Sequence, residues 1–117
     1  MKLELPFATP SNNAVMRMHH RERTKQHEAC TWQVKALGRF PRYERCHVTV
    51  TRYGSRLLDF DNMGGGLKFL MDALVKNGIL ADDSPKCVQS LELWQEKCKR
   101  VDEKTVVEIV DAQNEPT

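Results

Sequence analysis

The chain has 117 residues, 40% of them apolar and 29% charged, with a formal net charge of +2. That length suits one hydrophobic core rather than two. No apolar run approaches the ~20 residues of a membrane span, and the opening MKLELPFATP lacks the continuous apolar stretch of a secretory signal. A cytoplasmic protein is therefore expected. Its four cysteines, Cys30, Cys46, Cys87 and Cys98, form no Cys-x-x-Cys pair and are expected to be reduced and partly buried; their spacing does not support a zinc site.

In chain order, Leu3, Leu5 and Phe7 alternate with Lys2 and Glu4, the pattern of a half-buried strand, and Pro6 places it at a sheet edge or ends it. Thr9-Pro10-Ser11-Asn12-Asn13 is a turn cluster in which Asn12 or Asn13 caps the first helix. Helix is expected from residue 14 to about 37, with the character of a basic loop around Met16–Arg21, and Gly38 stops it. Glu44–Tyr53 reads as a strand with Cys46, Val48 and Val50 on one face and His47, Thr49 and Thr51 on the other. After a turn at Gly54-Ser55 the chain reads as extended again from Arg56 to Asp61, with Leu58 and Phe60 pointing into the core. The next helix buries Leu67, Leu70, Met71 and Leu74, carries Lys68, Asp72 and Lys76 opposite, and ends at Asn77-Gly78. Lys86–Trp94 and Thr105–Val110 read as two strands of a hairpin. The expected fold class is α/β (α+β): a single compact domain over residues 1–111, with a small mixed β-sheet flanked by two helices, and a polar tail over residues 112–117.

The chemistry concentrates between Leu57 and Pro85. Side chains at i and i+2 of an extended chain share a face, so Asp59 and Asp61 would stand together. Carboxylates that close raise each other's pKa unless a cation binds between them. Mg²⁺ suits that place, because it takes oxygen ligands from one or two carboxylates, water and phosphate. The helix after them turns the chain back, so that Asp82 or Asp83 could complete a three-carboxylate site of the kind that works on phosphate esters. The plainer reading makes Asp59 and Asp61 turn and capping residues and Asp82-Asp83 a solvated loop, and spacing alone favours it. Gly64-Gly65-Gly66 permits close approach of a ligand to the backbone, or an unusual turn, ahead of a helix amino end that suits anions.

Charge is unevenly spread. Residues 17–45 hold eight basic residues against three acidic ones, net +5, and residues 102–117 hold one against five, net −4. Such a split suits a polyanion held on one face; a helix with a solvated charged side has the same composition.

The ordered set Leu5-Pro6, Pro10-Ser11-Asn12-Asn13, Asp59-Phe60-Asp61-Asn62, Lys68, Asp72-Ala73-Leu74, Lys76, Gly78 and Asp82-Asp83 resembles the RusA family of Holliday junction resolvases, over roughly residues 3–110. The resemblance implies a phage-type crossover junction endodeoxyribonuclease. In it Asp59, Asp61 and Asp83 are the metal-binding catalytic aspartates, Lys68 is the essential lysine, and Mg²⁺ or Mn²⁺ is the cofactor. It implies a homodimer acting on four-way DNA junctions by paired nicks. Asn12, Asn13, Arg17, Arg21, Arg23, Lys25 and Lys76 are the expected DNA contacts, mostly to phosphates. The three glycines set Lys68 about one turn further from Asp61 than in the best-known form of the motif. Two alternatives stand beside the resolvase: a structure-selective nuclease on branched or flapped DNA, and a non-catalytic DNA-binding protein on the same scaffold. For the dimer, the strand Leu3, Leu5, Phe7 and the face around Trp32 are the candidate surfaces.

Overall fold

The computed structural model describes residues 1–112. Four strands form one mixed sheet: β1 (Lys2–Leu5), β2 (Cys46–Gly54), β3 (Val88–Lys97) and β4 (Lys104–Asp111). Their order is β1-β4-β2-β3. β4 is antiparallel to both β1 and β2, whereas β3 runs parallel to β2. Three helices accompany the sheet: α1 (Asn12–Arg17), α2 (His20–Ala36) and α3 (Leu67–Lys76). This is the expected α+β domain with a mixed sheet, and the helix foreseen over residues 14–37 is divided at Met18-His19. Among the described residues no helix is long and apolar enough to cross a membrane.

Alternation explains the core. Leu3 and Leu5 of β1, Cys46, Val48 and Val50 of β2, and Val107 and Ile109 of β4 are buried on one face of the sheet, as a period of two requires. α3 supplies Phe69, Leu70, Met71, Ala73 and Leu74 to that core. Each fully buried leucine there contributes about 1.5–3 kcal/mol of burial. α3 closes at Asn77, and Gly78 takes the left-handed φ of +74° that a side chain would resist. Ile79 and Leu80 then drop back into the core. α2 differs: of its 17 residues only Cys30 and Val34 are buried. A helix so polar is held by one narrow stripe and shows the rest of its surface to solvent.

Four local expectations are corrected. The last two strands are not a hairpin, because β2 lies between them. Their connection crosses the end of β2, where the Cys98 amide donates to the Gly54 carbonyl (3.0 Å). There Glu103 Oε2 also accepts from the Ser55 amide and hydroxyl (2.8 and 2.9 Å). Inserting β2 there covers its deeply buried row Cys46, Val48, Val50 from both sides. Arg56–Asp61 does not continue as a strand: β2 ends at Gly54, and side chains capture the next backbone groups. Arg52 Nη1 donates to the Arg56 carbonyl (2.8 Å). The Gln95 amide accepts from Leu58 N (2.8 Å) and donates to Leu58 O (2.7 Å). Leu58 is accordingly half-buried rather than in the core, and the Phe60 side chain lies outside the described part of the structure. The cap of α1 is Ser11, whose Oγ accepts the Ala14 amide at 3.0 Å; Asn12 and Asn13 are already helical. Finally, Ala112 belongs to the domain rather than the tail, since it is buried and its amide donates to the Arg45 carbonyl (2.9 Å). The remainder of the expected tail, residues 113–117, lies outside the described residues.

Candidate functional site

Three stretches far apart in sequence meet beside the amino end of α3. The first, Thr9–Asn13, is pulled in by Arg52, whose Nε donates to the carbonyl of buried Thr9 at 2.8 Å. The second, Asn62–Gly66, lies against it: the Asn13 amide donates to Asn62 Oδ1 at 3.3 Å. The glycines make this packing possible. A Cβ on Gly65 would overlap the backbone of Asn12, and one on Gly66 would stand 2.6–2.8 Å from Pro10 and Thr9. The close approach that Gly64-Gly65-Gly66 suggested is thus made by the protein's own Pro10–Asn12 segment.

The third stretch is the first half of α2. α2 and α3 lie side by side in the same sense. The His27 ring meets Phe69 edge-on with centroids 4.3 Å apart, and the Thr31 carbonyl accepts from Asn77 Nδ2 at 3.1 Å. The stripe Arg23, His27, Cys30, Val34, at helical spacing, is apolar toward its carboxyl end and polar where α3 begins. There Arg23, His27, Lys68 and Asn12, with the backbone of Gly64 and Gly65, line a pocket of about 340 Å³. Arg23 is steadied by a hydrogen bond from its Nε to the Met18 carbonyl (3.3 Å). His27 Nδ1 stands 3.4 Å from Asp72 Oδ2. Burial holds the His27 pKa below its ordinary value, Asp72 opposes that, and Lys76 and Lys68 reinforce it. A second hollow of similar volume, which shares Phe69 with the first, is lined mainly by apolar groups such as Phe7, Met18 and Cys30.

Among the described residues no carboxylate lines the pocket of Arg23, His27 and Lys68. Asp59 precedes and Asp61 occupies a 3₁₀ turn, Phe60–Asn62, closed by a hydrogen bond from the Asn62 amide to the Asp59 carbonyl (2.9 Å). Successive residues of such a turn are rotated by about 120°, so the two side chains do not share a face as on a strand. Asp82 and Asp83 are exposed in a turn after Leu80, where Asp82 Oδ1 accepts the Asp83 amide at 2.9 Å. Among the described residues no group of three or more His, Cys, Asp or Glu could hold a metal ion. Asp59, Asp61 and Asp83 are all exposed.

The other expected contacts are all at the surface. Asn13, Arg17, Arg21, Arg23 and Lys25 are exposed along α1 and α2, and Lys68 and Lys76 stand at opposite ends of α3. Three residues acquire significance only from the fold. His27 joins Arg23 and Lys68 in the pocket; its i+4 spacing from Arg23 was visible, its meeting with α3 was not. Arg52 and Gln95 position the Thr9 and Leu58 segments through side chain to backbone hydrogen bonds, for which the sequence holds no signal. No protein-family model matches this chain, and no curated protein matches it at a significant level.

Proposed function

We propose that this protein is a nuclease of RusA type that resolves four-way DNA junctions in the cytoplasm by paired nicks, with Mg²⁺ or Mn²⁺ as its cofactor. The observation that carries the reading is the meeting of Pro10–Asn13, Asn62–Gly66 and Lys68 at one place. Pro10–Asn13, Asn62 and Lys68 are separate pieces of the resemblance, Gly64–Gly66 being its departure, and their packing beside a helix with basic exposed residues supports the reading. Within that site Lys68 and Arg23 supply positive charge for a phosphodiester, and Asn12 contributes to the same wall. Arg17, Arg21 and Lys25 extend the basic surface to neighbouring phosphates. Asp59, Asp61 and Asp83 are the carboxylates that would hold the metal.

The test is a cleavage assay on a synthetic four-way junction, a flapped duplex and a linear duplex side by side, with and without Mg²⁺ or Mn²⁺. Symmetric, ligatable nicks confined to the junction are expected. Preferential cutting of the flap would favour the broader structure-selective nuclease, and no cutting of any substrate with either metal would sink the nuclease reading. The alternative is a DNA-binding protein on the same scaffold that does not cut. It would give the same gel shifts and no metal-dependent product.

The surface yields two more expected outcomes. Replacing Arg21 and Lys25 together with alanine is expected to flatten the slope of log binding constant against log salt by about 2 on duplex DNA, roughly one per lost phosphate contact. An unchanged slope would make this face merely solvated. For the homodimer, β1 is a sheet edge whose Leu3 and Leu5 side chains are already buried within the chain. Trp32 remains exposed, but β3 is the better edge. It is ten residues long, pairs on one side only among the described strands, and exposes Leu91, Leu93 and Trp94. A long edge with apolar side chains exposed along it is a ready template for pairing with another chain. Light scattering is expected to give twice the 13.5 kDa chain mass, and Leu91→Glu with Leu93→Glu to give the single mass. A dimer that survives the double change would move the interface elsewhere.

A further inference from the structure

We propose that the pocket between the amino-terminal halves of α2 and α3 seats one phosphate group, held by Arg23, His27 and Lys68. It rests on the nuclease reading only for the source of that phosphate, the backbone diester of bound DNA.

The lining brings cationic groups from two helices to one hollow of about 340 Å³ and, among the described residues, includes no carboxylate. Neither Arg23 nor Lys68 has an acidic side chain within salt-bridge distance among the described residues, so their charge is not spent inside the protein. Arg23 uses Nε on the Met18 carbonyl. That fixes the guanidinium plane and leaves both terminal nitrogens for a bidentate grip on an oxyanion. His27 is oriented by Asp72 on one side and Phe69 on the other, so the ring is placed before any ligand arrives. Gly64 and Gly65 form a wall without side chains. Among the described residues no side chain caps the α3 amino end, which adds a favourable dipole to a site already built from cations. Arg23 and Lys68 bring donors from two helices, and the His27 ring beside them becomes a further donor when protonated, a set that fits a tetrahedral oxyanion.

The seat is distinct from a dispersed basic face. Arg21 and Lys25 neighbour Arg23 in sequence, yet do not line the pocket. Arg23 should therefore act on local phosphate geometry, whereas its neighbours act on the overall salt dependence.

The experiment is an NMR titration of the full chain with inorganic phosphate, in chelator, without DNA. Shifts are expected at the Gly64 and Gly65 amides and the His27 ring. The His27 pKa should rise as phosphate opposes the combined effect of burial, Lys68 and Lys76. Arg23→Gln and Lys68→Gln, both exposed and so expected to fold, should each weaken phosphate by about tenfold, as loss of one charged hydrogen bond predicts. Lys99→Gln should leave it unchanged. No response at these groups, or a response untouched by both variants, overturns the seat. A dinucleotide diester competing at the same amides supports a DNA backbone source, and response to a mononucleotide monoester alone overturns that source. Because no metal is present and Asp61→Asn should retain the phosphate shifts, failure here is separable from failure of junction cleavage.

Discussion

Changing Asp61 to asparagine is expected to cut metal-dependent junction cleavage by about a hundredfold or more, the scale on which losing one group that stabilises transition-state charge acts, while gel-shift affinity holds or rises. The side chain is exposed on a 3₁₀ turn, and exposed changes rarely cost more than about 0.5 kcal/mol. Lost cleavage with unaltered unfolding therefore reports chemistry and not folding. The affinity should not fall, because the change also removes a negative charge that repels DNA. Asp59→Asn and Asp83→Asn should behave alike if the three carboxylates act together when DNA and metal bind. Asp82 is a useful contrast, since its carboxylate already closes its own turn on the Asp83 amide. Full cleavage by the Asp83 variant with loss in the Asp82 variant would exchange the two residues. Full cleavage in all of them would leave the cluster with no catalytic role.

The second large effect is on stability, and it falls within three adjacent glycines. Gly65→Ala and Gly66→Ala should each destabilise the protein by about 1–3 kcal/mol, the usual cost of forcing extra volume into a packed site. Gly64→Ala should be close to neutral. The difference comes from the atoms each new methyl would meet. At Gly65 it is the Asn12 backbone, and at Gly66 it is Pro10 and Thr9, rigid groups that Arg52 holds in place. At Gly64 nothing lies within 4 Å. Denaturant unfolding of the three variants measures this directly. Equal stability of Gly64→Ala and Gly65→Ala would mean that the 62–66 loop does not pack on the Pro10–Asn12 segment.

These contrasts show where the sequence was legible. Strands with a strict period of two, such as Leu3-Leu5 and Cys46-Val48-Val50, were readable because one face is water and the other core. α3 was readable because its apolar stripe and its Asn77-Gly78 stop agree. The pairing of strands was not. A hairpin between β3 and β4 is the default for antiparallel neighbours in sequence, whereas here β2 pairs with both and the connection is tied to its end through Gly54 and Ser55. Arg56–Asp61 failed for a related reason. Its apolar alternation is real, but Arg52, four residues upstream, and Gln95, from the distant β3, take backbone groups that a strand would need. At the candidate site the residue types were visible and their grouping only partly so. Charge marks Arg23, and the resemblance marks Lys68. That they meet around His27 depends on how two helices lie together, which periodicity within either helix does not encode.

The strand order also bears on how the molecule is made. Among the described residues the only sheet neighbour of β1 is β4, with Leu5 opposite Thr105, roughly a hundred residues later in the chain. During synthesis on the ribosome the first strand must therefore wait for the last one before it has a place to lie. Until then Leu3 and Leu5 stay uncovered, and the Thr9–Asn13 segment just after them is tethered at one end only. Pairings so distant in sequence close late and slowly. The pocket walled by Asn12 would then be among the last parts to form, so a nascent chain that stops short of β4 would carry all the basic residues of the site without the enclosure that gives them a common target.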